Sequence, residues 1–281
     1  MTAYAGYRLL RIARDGAIVT ATVDNPPINL ITLELFGEMA RLSEELASDD
    51  DALVFILKSA NPDFFLAHFD VAAILSFPTD RPAMRDGADG NAYHKMCERF
   101  RTMNKATIAQ IEGRVGGGGS ELAMSFDMRF GVVDKTIINQ MEVPLGILPG
   151  GSGTQRMPRL IGRHRALEVI LGGIDLDAVT AAQWGYLNRA MAADEIGPYV
   201  EMLARRIASF PPEAVRLAKE AVDNASKPLD EGLADESYLF QQLIRTDAAK
   251  RNMARFLEIG GQTRDIELQI GDVNAKLDST I

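Results

Sequence analysis

Glu121, in Gly116-Gly117-Gly118-Gly119-Ser120-Glu121, and Glu142, in Gln140-Met141-Glu142-Val143-Pro144-Leu145-Gly146, have the surroundings that point most directly to chemistry. Two carboxylates beside unencumbered backbone N–H groups can hold a water, move protons and stabilise an oxyanion without a metal. That chemistry requires a glycine turn opening a helix at Glu121 and a proline-flanked loop carrying Glu142 to the same place. Ile108 to Ile111 before the glycines predicts a strand, and the residues from Ser120 onward predict a helix. At such a junction, backbone N–H groups face a ligand oxygen.

Taken singly, each feature has a plainer explanation. Four glycines describe a flexible loop, Glu121 an acidic residue at a helix start, and Glu142 a solvated loop carboxylate. Nucleotide-binding glycine patterns do not fit. A dinucleotide fingerprint needs glycine at relative positions one, three and six, but the sixth residue is Glu121 counted from Gly116 and Arg156 counted from Gly151. A phosphate loop ends in Gly-Lys-Ser/Thr, and Gly118-Gly119-Ser120 lacks the lysine.

The remaining elements follow from periodicity. Tyr7 to Ala13 and Ala17 to Val23 predict a hairpin around Arg14-Asp15-Gly16. Thr32 caps an expected helix from Leu33 to Ala47, with Leu35, Phe36, Met39, Leu42 and Leu46 on one face, and Leu53 to Leu57 reads as a buried strand. Asp70 caps a short helix at Val71 to Ile74, Pro78 to Asn91 reads as a surface loop, and helical spacing resumes from Tyr93 to Met103. Strands are expected at Thr107 to Ile111, Met128 to Val133 and Thr136 to Asn139. The order describes an α/β core of repeated ββα turns over residues 1–196. Residues 197–281 form a helical subdomain: Tyr199 to Ser209, Glu213 to Ala225, then one long helix from Leu229 to Ile259.

With 281 residues, 47% of them hydrophobic and 25% charged, the chain suits one large core with a helical appendage. A formal charge of -9 argues against nucleic acid as a partner. Cys97 is the single cysteine, which excludes an intrachain disulfide and a cysteine-built zinc site; His94 and His164 have no ligand cluster near them in sequence, so no metal is expected. Arg8, Arg11 and Arg14 interrupt the start, and no apolar run is long enough for a bilayer, so the reading is a soluble, cytoplasmic protein without a membrane partner.

Four motifs together resemble the crotonase superfamily, the enoyl-CoA hydratase/isomerase family, from about Tyr7 to Glu258. They are Asp24-Asn25-Pro26-Pro27-Ile28-Asn29, Phe65-Leu66-Ala67-His68-Phe69-Asp70, Gly117-Gly118-Gly119-Ser120-Glu121-Leu122-Ala123 and the run from Glu142 to Arg156. The resemblance implies a ββα spiral followed by trimerisation helices, giving a homotrimer or a dimer of trimers, and an acyl-CoA thioester as substrate. Coenzyme A is then part of the substrate and no separate cofactor is implied.

By the same resemblance, the amides of Phe69 and Gly118 hold the thioester oxygen, Glu121 and Glu142 match the two acid/base glutamates of hydratases, and Gly150 contacts the reacting water. Leu30, Ala67, His68, Val71 and Gly117 fall at substrate- or CoA-binding positions. His68 stands where relatives commonly have glycine and reads as pocket-filling, and Trp184 matches a packing position. Lys250, Arg251 and Arg255 are candidates for a neighbouring subunit's CoA phosphates. Retention of both glutamates favours 2-enoyl-CoA hydration. The alternatives are another reaction of the superfamily on an acyl-CoA, such as isomerisation or C–C cleavage, and a non-catalytic acyl-CoA-binding paralogue.

Overall fold

The computed structural model describes residues 4–80, 82–83, 90–274 and 277. A hairpin, β1 (Leu10–Asp15) and β2 (Ile18–Val23), opens the fold. Its two-residue turn is Gly16-Ala17, one position later than the sequence suggested, with Gly16 supplying a φ of 56°. Helix α1 (Leu33–Ala47) follows, with the Thr32 hydroxyl accepting from the Leu35 amide and Leu35, Met39, Leu42 and Leu46 buried.

Next come β3 (Val54–Ser59), β4 (Phe64–Leu66), the short α2 (Val71–Leu75) and α3 (Ala92–Thr102). Asp70 caps α2 through the Ala72 amide, as its sequence position implies. The expected Pro78–Asn91 loop lies partly outside the described residues. The chain continues through β5 (Ala106–Ile111), β6 (Arg114–Gly116), α4 (Gly117–Ala123), β7 (Met128–Val132) and β8 (Ile137–Asn139).

Three successive passes therefore read strand, strand, helix, and each places one strand in each of two sheets. The six-stranded sheet runs β1-β2-β3-β5-β7 and ends with β10 (Arg189–Met191). The four-stranded sheet runs β4-β6-β8 and ends with β9 (Leu176–Asp177). β5 pairs with β7 and β6 with β8, both in parallel. Parallel strands covered on both faces need unbroken apolar runs, and every residue of β5 is buried.

Between β8 and β10 lie α5 (Gly153–Ile161), α6 (Arg163–Gly172) and α7 (Ala178–Trp184), helices that the sequence reading left unassigned. Trp184 packs half-buried on the core, with the Arg165 guanidinium 5.4 Å above its ring.

The remaining helices are α8 (Ile196–Ala208), α9 (Pro212–Asp223), α10 (Leu229–Leu243), α11 (Asp247–Glu258), α12 (Arg264–Glu267) and α13 (Ile270–Asn274). The single long helix expected from Leu229 to Ile259 is instead two. Thr246 adopts an extended conformation and caps α11 by accepting from the Ala249 amide, which stops the first helix and starts the second. The chain divides into two compact units: residues 1–103 with 107–201, and residues 104–106 with 202–281. Among the described residues no helix is long and apolar enough to cross a membrane.

Candidate active site

The glycines before Glu121 are not a loop. β6 ends at Gly116 and α4 begins at Gly117, so Gly117, Gly118 and Gly119 form the first helical turn, three residues earlier than the Ser120 start predicted. Close packing explains why glycine is needed. A Cβ on Gly119 would lie 2.5 Å from the Leu66 carbonyl oxygen, and one on Gly116 would lie 2.7 Å from that of Ala67. Gly117 has a φ of 45°, and a Cβ there would come within 3.0 Å of Glu142 Oε1.

Helix α4 is anchored along its length. The Ser120 hydroxyl is 2.8 Å from that of Tyr186. The buried Arg129 donates from Nε to the Tyr186 carbonyl at 2.7 Å and from a terminal nitrogen to the Phe126 carbonyl at 2.6 Å. The same terminal nitrogen lies 3.5 Å from the Ala123 carbonyl, so a cation sits beside the last carbonyl of α4 and complements the negative helix end.

Phe69 is set by a different contact. Ile31 donates to the His68 carbonyl at 2.9 Å and accepts from the Asp70 amide at 3.0 Å, forming a parallel bridge with Phe69. In such a bridge the flanking residues make both bonds, so the Phe69 amide faces away from Ile31. The Phe69 nitrogen lies close to Gly118, 3.4 Å from the position a Gly118 Cβ would take. The Gly118 amide lies in the first turn of α4, where N–H groups lack intrahelical acceptors. Two backbone donors are thus adjacent. Beside them, the Tyr93 hydroxyl donates to the Gly118 carbonyl at 2.6 Å, and the Tyr93 ring stacks on Phe36 with centroids 5.7 Å apart.

Glu121 is 3% exposed, and its Oε1 accepts from the Gly151 amide at 2.8 Å and the Gly153 amide at 2.6 Å. Burial pushes its carboxyl up to about 7; the Gly153 and Gly151 amides oppose this, and the Glu142 charge adds to it. Glu142 is also buried, and that burial raises its carboxyl above the ordinary range. Its carbonyl accepts from Leu145 and Ile147 at 3.0 and 3.1 Å around a 3₁₀ turn, and Gly146 reverses the chain at a φ of 80°. Glu142 Oε2 is buried without a hydrogen-bond partner, leaving an acceptor to be satisfied by whatever occupies the site.

Both glutamates line one cavity of about 560 Å³, together with His68, Phe69, Val71, Gly118 and Gly150. Apart from these groups its wall is mostly apolar, built from Leu33, Phe36, Ile74, Phe77, Tyr93 and neighbouring side chains. Leu30, Ala67 and Gly117 do not line it. The Leu30 carbonyl accepts an Asn25 side-chain bond at 2.8 Å, and the Ala67 carbonyl oxygen lies 2.7 Å from where a Gly116 Cβ would be. His68 Nδ1 lies 2.8 Å from the Phe69 carbonyl, and because a carbonyl only accepts, Nδ1 carries the hydrogen. Among the described residues, no three His, Cys, Asp or Glu side chains gather as metal ligands, and Cys97 is buried.

The Gly151 and Gly153 amides and Tyr93 join the site without a motif that announces them. A glycine-serine-glycine run ahead of an amphipathic helix was the available signal for the first two; Tyr93 read as an ordinary helical apolar residue. The cavity can polarise a carbonyl with two amides and place two carboxyls of unlike environment beside its substituents, which suits proton transfer next to an oxyanion.

Comparison with known proteins places this arrangement. The family model for enoyl-CoA hydratase/isomerase matches residues 13–263. The short-chain-enoyl-CoA hydratase of Clostridium acetobutylicum is 30% identical over 249 residues, covering 88% of this chain and 94% of the relative. The crotonyl-CoA hydratase of Syntrophomonas wolfei is 33% identical over 213 residues, covering 75% and 80%. The crystal structure of an enoyl-CoA hydratase from Bacillus anthracis superposes with a TM-score of 0.81 at 25% identity, covering 89% of this chain and 96% of that one. The chain belongs to the enoyl-CoA hydratase/isomerase family.

Proposed function

We propose that this protein is an enzyme, a 2-enoyl-CoA hydratase, adding water across the C2=C3 bond of an acyl-CoA thioester. The observation that carries the reading is the convergence of Glu121 and Glu142 on one apolar cavity beside the Phe69 and Gly118 amides. Relatives named as hydratases over most of their length support it.

In this reading the two amides hold the thioester oxygen. As the oxygen of water bonds to C3, the C2=C3 electron pair moves toward that oxygen and the amides meet the developing charge. Loss of one such donor costs roughly 3 to 4 kcal/mol in other enzymes, so this is the leading catalytic contribution. Glu121 takes the proton released by the water, Gly150 contacts that water, and Glu142 orients it and delivers a proton to C2. The exchange requires one carboxyl ionised and the other protonated; burial raises both, and the Glu142 charge adds to the rise at Glu121. The hydration needs no cofactor beyond the coenzyme A carried by the substrate. His68 and Val71, in the cavity wall, flank the path of the thioester chain, and Leu30, Ala67 and Gly117, outside that wall, complete the proposed substrate- and CoA-binding set.

The same proposal includes a homotrimer or a dimer of trimers acting in the cytoplasm, assembled through the helical residues 197–281. Leu229, Leu233, Phe240 and Ile244 support the assembly. They recur at helical spacing on one face of α10 and its cap, and they are 78%, 54%, 62% and 39% exposed. Lys250, Arg251 and Arg255 of α11 are the candidates for a neighbouring subunit's CoA phosphates.

Product analysis tests the reaction. Crotonyl-CoA and longer 2-enoyl-CoA thioesters incubated in H₂¹⁸O should yield 3-hydroxyacyl-CoA carrying ¹⁸O at C3. A shifted double bond, a cleaved chain, or binding without turnover would overturn hydration.

A further inference from the structure

Ser152 adopts a φ of 107° and a ψ of 0°, a backbone conformation that side chains with a Cβ rarely occupy. It sits between Gly151 and Gly153, whose amides bind Glu121 Oε1. The neighbouring glycines leave this turn no room to relax. A Cβ on Gly151 would lie 2.5 Å from Glu121 Oε2, and one on Gly153 would lie 2.9 Å from Oε1. The turn therefore packs directly on the carboxylate, and its one residue with a side chain is held in an unfavourable shape.

Arg156 contacts the side chain of that residue. Its Nε donates to the Ser152 hydroxyl at 2.8 Å, and its guanidinium also pairs with Glu98 of α3. The Arg156 side chain is only 13% exposed, and Glu98 is braced from its other side by Arg101 Nε at 2.9 Å. A largely enclosed, two-ended guanidinium is a stiff connector, because its planar fork loses little freedom per bond formed.

We propose that Glu98, Arg156 and Ser152 form a tether that presses the Gly151–Gly153 turn onto Glu121, making Arg156 and Ser152 positioning residues of the acid/base site. The inference rests on the reading of Glu121 as an acid/base group. A carboxylate that accepts two amide bonds is favoured in its ionised form, so slackening the turn removes that support and leaves burial to dominate. The other titratable groups that act on Glu121 are Glu142, Tyr93 and Cys97 of α3, Tyr186, and Arg156 itself. Because Arg156 also acts through its charge, variants at Ser152 separate the tether from the field.

The test is titration of the Glu121 carboxyl in the ligand-free protein by ¹³C NMR, with Glu121→Gln identifying the signal. Ser152→Ala keeps the unfavourable φ and loses the hydroxyl, and should raise the midpoint by about one pH unit. Ser152→Gly also loses the hydroxyl but occupies a positive φ freely, and should titrate with the parent. Arg156→Ala should raise the midpoint in the parent and raise it less in the Ser152→Gly background, where only the charge is lost. Ser152→Ala titrating with the parent, or an Arg156→Ala shift of equal size in both backgrounds, would overturn the tether. The Arg156 pair decides the question if Ser152→Ala does not fold. The readout needs no substrate, so a parent protein that fails to hydrate enoyl thioesters would sink the proposed reaction without altering this result.

Discussion

Gly118→Ala separates catalysis from stability with a single methyl group. A Cβ at this position would lie 3.2 Å from the Phe69 Cβ and 3.4 Å from both the Phe69 amide nitrogen and the Tyr93 hydroxyl. The tightest contact is with a half-buried side chain that can shift by a few tenths of an ångström, at a cost of about 1 kcal/mol. Replacing glycine by alanine within a helix returns a similar amount, about 0.8–1 kcal/mol, and Gly118 is inside α4 without a positive φ. Folding stability should therefore change by about 1 kcal/mol or less. Catalysis should not survive as well. An oxygen accepting from the Phe69 amide must approach to about 2.9 Å, and the methyl would occupy the van der Waals shell of that nitrogen. Loss of one donor's share of transition-state stabilisation, about 3 kcal/mol, lowers turnover roughly 100- to 1,000-fold. Steady-state hydration of crotonyl-CoA beside a thermal melt measures both. The neighbouring Gly119→Ala serves as contrast: its Cβ would strike the Leu66 carbonyl oxygen at 2.5 Å, so that variant should lose stability. A Gly118→Ala protein that melts with the parent and turns over within threefold of it would refute the oxyanion argument.

Four further outcomes follow from the structure. Glu121→Gln and Glu142→Gln should each lower turnover roughly 100- to 10,000-fold with modest loss of thioester binding, read from kcat and from a binding isotherm. The Glu121 carboxyl is raised in the folded state to about 7 from 4.5, so its contribution to stability is fully present below 4.5 and is lost as pH rises through 7. Accordingly Glu121→Gln should melt above the parent at pH 8, by an amount on the order of 3 kcal/mol in stability, and the difference should close at pH 4; an unchanged gap would contradict the assigned burial. The same ionisation should give kcat/KM an acid limb near pH 7, because that ratio reports the free enzyme. Finally, Leu233→Asp combined with Phe240→Asp should reduce the oligomer to smaller species in sedimentation, and an intact assembly would remove α10 from the subunit contact.

The sequence revealed the parts of this fold governed by local chemistry. Thr32 and Asp70 are helix caps because their side-chain oxygens reach amides two or three residues on, a relation visible without tertiary structure. The glutamate pair is different: the glycines before Glu121 and the proline after Glu142 made it a candidate, but only the resemblance carried by four motifs together favoured it over a plain surface reading. What stayed hidden depends on contacts between distant segments. Gly117–Gly119 read as a turn because glycine disfavours helices, and only the approach of Leu66 and Glu142 shows why a helix begins there. Ser152 gave no warning of its positive φ, since serine ordinarily avoids that region and the bonds that stabilise it come from Arg156. The break after α10 was masked by helical spacing on both sides of Thr246. The 3-residue strand β6 was too short for a periodic pattern to register.

The most direct measurement is a crystal structure of the Glu142→Gln variant with crotonyl-CoA bound. The thioester oxygen should lie about 3 Å from the amide nitrogens of both Phe69 and Gly118, with C2 and C3 between the side chains at 121 and 142. A thioester carbonyl bound away from either amide, or an acyl chain lying outside the space between those two side chains, would contradict the account.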